Sequence, residues 1–381
     1  MAGVAFATAS LIIVLSVFNG LEGLLRSLNS SFDPQLKIEA STGKSFEIND
    51  QMISKIKSIP GVEIVTEVIE DYAYVRYREA DLVLTIKGVS DNFIDQHRLD
   101  DHLDEGKLKL REKGINYAIV GREVKYALSI NLEDDFNLLQ VYYIKNLKFS
   151  PSLDPSQFYA HQSIKPGAVF SIEKNFDGNY VFMPLEFVRQ LMDYGNKRTS
   201  LEVKIAPTGD VKIIQDAINQ KLGESFVVLT NEEQHQDVYR LLKIEKLFTF
   251  LALSLLITIG SINIFFSLMM LAIDKKKDIS ILAALGAGQP LIRKIFLTEG
   301  ALIGFIGAAI GLVLGGLICW MQDRFGLVSM GMGNVSVVPN YPVKMNWIDF
   351  VSTSGVIVLV TFLVSVYPAT RAAKFHSTDQ L

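Results

Sequence analysis

The chain has 381 residues, 49 % of them hydrophobic, with a mean hydropathy of +0.27. That is too apolar for an ordinary soluble protein, and a formal net charge of −4 offers no basic surface for a nucleic acid. The single cysteine, Cys319, lies inside an apolar run, which excludes a disulfide framework, a cysteine zinc site and paired-thiol redox chemistry.

In chain order, the first element is an apolar stretch from Ala2 to Leu21, close to the 20 or so residues that a helix needs to cross a hydrocarbon core. No basic n-region precedes it, and "FNGLEGLLRSLNSSF" carries the helical period past any cleavage site, so it reads as a retained span rather than a signal peptide. Because no lysine or arginine flanks its start, a cytoplasmic segment before it is expected to be missing from this chain.

Residues 30–240 hold most of the acids and read as mixed α/β. "QLKIEAS", "YAYVRY" and "DLVLTIKGV" alternate like half-buried strands, whereas "DVKIIQDAINQKLG" has helical spacing and a glycine stop. Residues 150–167, "SPSLDPSQFYAHQSIKPG", are proline-rich and aperiodic and read as a long loop, a candidate interaction arm. From "NEEQHQDVYRLLKIEKLF" the pattern is helical, without a glycine or proline, into the next span.

Leu247–Ile273 runs 27 residues without a charge, a span by length and purity. "DKKKDISILAALGAGQPLIRKIF" then returns three lysines and a short amphipathic helix. In it Ile279, Ile281, Leu282 and Leu285 are expected to share an apolar side, Gly286 to cap the C-terminus and Pro290 to open the next helix. A plain turn needs no apolar face, so this face calls for a lipid surface or a protein groove. The third span, Phe296–Trp320, carries Glu299 near its start and spaces Gly300, Gly304, Gly307, Gly311 and Gly315 so that neighbouring helices can approach closely. The fourth is Phe350–Ala369.

Lys275, Lys276, Lys277, Arg293 and Lys294 between spans two and three, and Arg371 and Lys374 after span four, mark the cytoplasmic side. The connection Met321–Met345 and the large segment between spans one and two then fall outside. No phosphate loop, GxSxG, HExxH or CxxC is present, and His97, His102, His161, His235 and His376 have no ligand spacing, so no enzyme is expected.

"DKKKDISILAALGAGQPLIRKIFLTEGALIGFIGAAIGLVLG" resembles the coupling segment of the lipoprotein-releasing and macrolide-export class of ABC transporter permeases, whose pattern is close to "KxxEIAILRALGAxxxxIxxxFLxEGxxIGxxGxxxGxxLG". "LIIVLSVFNGLEGLL", "AIVGREVKYAL", "VYRLLKIEKLFTFLALSLL" and "YPATRAAK" extend the resemblance along almost the whole chain, and it is strongest to the LolC/LolE-like family within the MacB/FtsX superfamily. Asp278 stands where many members have Glu.

The resemblance implies an α-helical membrane protein with four transmembrane helices plus a large α/β extracytoplasmic (periplasmic, MacB-like) domain between helices 1 and 2. The expected divisions are 1–29 and 30–240 for the first helix and the periplasmic domain, then 241–273, 274–294 for the coupling loop, 295–320, 321–346 for the external loop, 347–370, and 371–381 for the tail. It further implies a non-catalytic inner-membrane permease that releases lipoproteins to a periplasmic carrier. This chain would bind no cofactor; ATP and Mg would sit on a LolD-like partner ATPase. Lys277, Asp278, Ile281, Leu282, Leu285, Gly286 and Arg293 would dock that ATPase, and Pro151, Pro155, Phe158 and Pro166 would mark a carrier-contacting loop. The other implied partners are a second permease, membrane lipids and the lipoprotein. An export or cell-division permease of the same superfamily and a membrane receptor with an external sensor domain are the competing readings.

Overall fold

A computed structural model describes residues 1–144, 159–329 and 340–374. The described elements, in order, are α1 (Ala2–Phe32), β1 (Leu36–Ala40), β2 (Phe46–Glu47), α2 (Asp50–Lys57), β3 (Val62–Tyr77), β4 (Ala80–Val89), β5 (Leu103–Gly106), β6 (Arg111–Glu112), β7 (Ile115–Gly121), α3 (Arg122–Leu128) and β8 (Leu139–Ile144). They continue with β9 (Tyr159–Phe170), α4 (Lys174–Asn179), β10 (Tyr180–Pro184), α5 (Leu185–Met192), β11 (Lys197–Arg198), β12 (Ser200–Ile205), α6 (Val211–Leu222), β13 (Phe226–Thr230) and α7 (Asn231–Gln234). α8 (Gln236–Asp274), α9 (Lys276–Ala284), α10 (Gln289–Phe325) and α11 (Trp347–Lys374) complete the series. The chain divides into two units, Arg26–Gln236 and the remainder, so the last two turns of α1 are counted with the α/β unit.

In the α/β unit, among the described residues, the main sheet runs β13-β1-β12-β3-β4-β10-β7-β9-β5, and β8 pairs with both β3 and β9. Those pairings close a six-strand circuit, β3-β4-β10-β7-β9-β8 and back to β3. A closed circuit leaves none of its strands with an unpaired edge on both sides of the ring. Its inward positions, Val75, Leu84, Val120, Val141, Val169 and Met183 among them, form one core with Val124 and Leu128 of α3 and Val188 and Leu191 of α5. A second core lies under β1, β12 and β13, where α2 supplies Ile56 and α6 supplies Ile214 and Ile218. α6 forms because that i, i+4 pair makes an apolar stripe; Asp210 accepts from the N–H groups of Lys212 and Ile213, and Gly223 ends the helix at φ +72.

Two sequence expectations need correction. Residues 159–167 are not loop: they lie in β9, where Ile164 and Pro166 are buried while Tyr159, His161 and Ser163 are exposed. Pro166 is tolerated there because the β7–β9 register shifts at Ala118/Ile119, so its missing N–H breaks no regular ladder. Pro151, Pro155 and Phe158 lie outside the described residues, as do Gly331–Gly333 and His376. The helical run into α8 is also interrupted: α7 stops at Gln234, and His235, with φ −119 and ψ 31, stands between the helices and hydrogen-bonds Asp33 at 2.6 Å.

In the second unit four helices, α1, α8, α10 and α11, are long and apolar enough to cross a membrane; their most apolar windows have mean hydropathies of 2.1, 2.2, 2.5 and 2.1. In such segments backbone polar groups must be satisfied within the helix. Four buried hydroxyls are satisfied the same way, Thr8, Ser261, Thr361 and Ser365 each donating to the carbonyl four residues earlier.

Candidate functional site

The amphipathic element after the uncharged run is α9. Successive residues on a helix turn by about 100°, so Ile279 and Ile281 lie about 200° apart and cannot share a side. Ile279 is 3 % exposed and packs with Ala272, Ile292, Phe296, Ala369 and Ala372. Ile281, Leu282 and Leu285 occupy another arc and are 60 %, 41 % and 80 % exposed. The single apolar side expected from the sequence is therefore two: one residue pins the helix and three are left outward.

The helix end is built as expected from its glycine. Gly286 has φ +95, its N–H donates to the Ala283 carbonyl, and the Ala287 N–H donates to the Leu282 carbonyl. This is the Schellman arrangement, which needs a left-handed residue at that position. At the other end Lys275 pairs with Asp278 at 2.9 Å, and the carboxylate holds the Lys275 ammonium above its ordinary pKa. Asp278 in the first turn suits the positive end of the helix dipole. Lys277, Asp278, Gly286 and Arg293 are all exposed, so α9 and the start of α10 present three apolar side chains among charges.

The glycines of α10 serve two neighbours. A Cβ on Gly300 or Gly304 would overlap Ser365 or Thr361 of α11, whereas a Cβ on Gly307, Gly311 or Gly315 would press on Val4, Thr8 and Ala5, or Ala9 and Ile12 of α1. α10 thus places one small-residue face against α11 and continues it against α1, the close approach that small residues permit in lipid.

Beyond the glycine face, α1, α8 and α11 are joined by a polar cluster. Lys246 pairs with Asp349 at 3.1 Å and donates to Asn19 Oδ1 at 2.7 Å, while Asn19 Nδ2 donates to Asp349 at 2.6 Å. The Asp349 carboxylate is buried, and these partners, with the N-terminal end of α11 in whose first turn it lies, compensate its charge. The chain before α11 lies against α1: Lys344 N–H donates to the Ser16 carbonyl, and a Cβ on Gly20 would overlap the Pro342 carbonyl.

In the α/β unit the last residue of α1 is part of the core. Phe32 stacks on Phe176 with ring centroids 4.1 Å apart, and Arg98 donates to the Phe32 carbonyl at 2.8 Å. Lys87 Nζ lies 4.9 Å from the Phe32 ring centre and 2.7 Å from Glu202, which Arg98 also engages. Burial opposes ionisation of Glu202, but Arg98 and Lys87 outweigh it and bring its pKa down to about 2. A polar cleft of about 320 Å³ opens nearby, lined by Lys37, Glu39, Lys44, Glu70, Asp71 and Tyr180. Its charges are largely matched within it, Lys37 to Glu39 and Lys44 to Asp71. Among the described residues no three His, Cys, Asp or Glu side chains converge as a metal site.

Residues 250–376, which contain α9 and the glycine face of α10, match the family described as FtsX-like permease C-terminal. The chain is 22 % identical over 375 residues to the lipoprotein-releasing system transmembrane protein LolC of Buchnera aphidicola, spanning 98 % of this chain and 90 % of that one. It is 23 % identical over 402 residues to LolE of Haemophilus influenzae, spanning all of this chain and 92 % of that one. Along its whole length the chain is thus similar to LolC/LolE-like ABC permeases. The crystal structure of the periplasmic region of MacB from Actinobacillus actinomycetemcomitans, 13 % identical, covers 54 % of this chain and 92 % of its own with a TM-score of 0.39.

The sequence singled out the residues of α9 and α10 but missed Asn19, Lys246 and Asp349. Lys246 and Asp349 each fall one residue outside the apolar runs that mark the spans, and the three are more than 100 residues apart in sequence. The only local signal was a charge abutting the end of each run.

Proposed function

We propose that the chain is the inner-membrane permease subunit of an ABC transporter that extracts lipoproteins and passes them to a periplasmic carrier, working beside a second permease and driven by a separate ATPase that docks on α9. The observation that carries this reading is the outward triad of Ile281, Leu282 and Leu285 on a helix held from behind by Ile279. Three exposed apolar side chains among Lys277, Asp278 and Arg293 fit a protein groove with a charged rim, in which the apolar anchors supply most of the binding energy. The α/β unit would then be the periplasmic part that meets the carrier, with ATP and Mg handled by the partner alone. The relatives named for lipoprotein release span this whole chain, which favours that cargo over general export.

Purification of the solubilised full chain with wild-type α9 and with Leu282→Asp tests the docking. An ATPase retained by the first and lost by the second supports it; equal retention places the docking elsewhere. The cargo is tested by deleting the gene: lipoproteins destined for the outer membrane should accumulate in the inner membrane, and normal sorting would rule lipoprotein release out.

A further inference from the structure

Between α10 and α11 the structure holds an apolar groove of about 390 Å³. Leu297, Ala301, Leu302 and Phe305 line one wall, and Ile357 and Phe362 the other. Its two hydroxyls are turned away: Thr298 Oγ1 donates to the Lys294 carbonyl at 2.7 Å, and Thr361 Oγ1 to the Ile357 carbonyl at 2.6 Å. The groove therefore offers a polar solute or a water almost nothing to bond. A methylene chain loses nothing by entering it.

One end of the groove is charged. Lys294 precedes Thr298 by four residues, Ala301 by seven and Phe305 by eleven, and at about 100° per residue these four fall within about 60° of one another on α10. Lys294 thus lies on the groove's own face, about one turn beyond its end. It is exposed, and among the described residues its ammonium has no ion-pair partner. Arg293 beside it, and Arg371 and Lys374 at the corresponding end of α11, make this the basic end of both helices.

We propose that this groove binds an anionic glycerophospholipid, with an acyl chain laid between α10 and α11 and the phosphate paired with Lys294. The pairing of an apolar trough with a free lysine at its mouth matches the two halves of such a lipid, and lysine reaches the headgroup level readily from a helix end. The site rests on α10 and α11 crossing the bilayer, and on neither the ATPase nor the cargo assigned above, so it stands or falls separately from them.

The test is native mass spectrometry of the purified full chain from nanodiscs of phosphatidylethanolamine and phosphatidylglycerol in a 3:1 ratio. The wild type should retain phosphatidylglycerol above its share of the disc. Lys294→Glu should lower that retention about fivefold or more, the effect of about 1 kcal/mol per basic residue at an anionic surface, and Lys294→Arg should keep it. Ala301→Trp, which fills the groove, should expel the lipid whatever its headgroup. Equal retention of the two lipids in the wild type, loss with Lys294→Glu but not with Ala301→Trp, or loss of a second protein chain instead of lipid with Ala301→Trp would each overturn the proposal.

Discussion

Ile279 and Leu285 belong to one nine-residue helix and its cap, yet the first is 3 % exposed and the second 80 %. The same residue class thus does two jobs on one short element: Ile279 holds α9 to α10 and α11, and Leu285 is left for a partner. Substitutions should separate them. Ile279→Ala should cost about 2–4 kcal/mol of local stability through the cavity it leaves, seen as faster amide exchange across residues 276–285. Leu285→Asp should leave that exchange unchanged and abolish recovery of an ATPase.

The glycines of α10 are not equivalent. At Gly304 an added Cβ meets only side-chain atoms of Thr361, whereas at Gly311 it meets the backbone carbonyl of Ala5 as well as Thr8. A side chain can yield and a helix backbone cannot do so cheaply. Gly311→Ala should therefore lower the thermal midpoint of the detergent-solubilised protein more than Gly304→Ala. Gly286→Ala meets nothing within 4 Å and should cost only the left-handed strain, about 1 kcal/mol.

Removing one member of the Lys246–Asp349 pair leaves the other charge without its partner. Lys246→Ala should destabilise by about 2–3 kcal/mol, below the figure for a fully buried pair because the lysine is part-exposed. Adding Asp349→Asn should restore part of the loss, because the amide still accepts from Asn19 and carries no charge. A double-mutant cycle on thermal midpoints measures the coupling, and strictly additive effects would contradict it.

The Glu202 site gives a pH signature. Its carboxyl titrates at about 2 when folded against an ordinary 4.5, so the unfolded chain binds the proton first. The stabilisation is complete above pH 4.5 and is lost as pH falls toward 2, with a ceiling of about 3 kcal/mol. Glu202→Gln should flatten that part of the stability curve while lowering stability at neutral pH, since Lys87 and Arg98 keep their charges. Acid unfolding of the two proteins, followed by tryptophan-independent near-UV signals of the tyrosines, distinguishes the cases.

Much of this was legible in the sequence wherever the signal was local. The alternation of β1, β3 and β4, the Asp210 and Gly223 ends of α6 and the uncharged core of α8 are all nearest-neighbour or single-turn patterns. Ile279 was misplaced because four apolar residues close in sequence look like one side until the helical angle is applied. Residues 159–167 resembled a loop because lysine, proline and glycine stand together where the partner of β9 changes from β8, paired to 159–164, to β7, paired from Lys165 onward. The Asn19–Lys246–Asp349 cluster and the Phe32–Lys87–Glu202–Arg98 arrangement depend on long-range packing, which no periodicity encodes.

The capture of Phe32 sets where this molecule can be cut. A water-soluble fragment that begins just after α1 would lose the ring on which Phe176 and Lys87 rest, and would leave Arg98 with no carbonyl at that position. A fragment that begins at Arg26 keeps the ring and the carbonyl together with the last two turns of α1, in which Asn29 and Phe32 are buried. Exchange of external domains between related permeases faces the same constraint: the transferable piece has to bring its own end of the first helix, or its aromatic centre arrives incomplete.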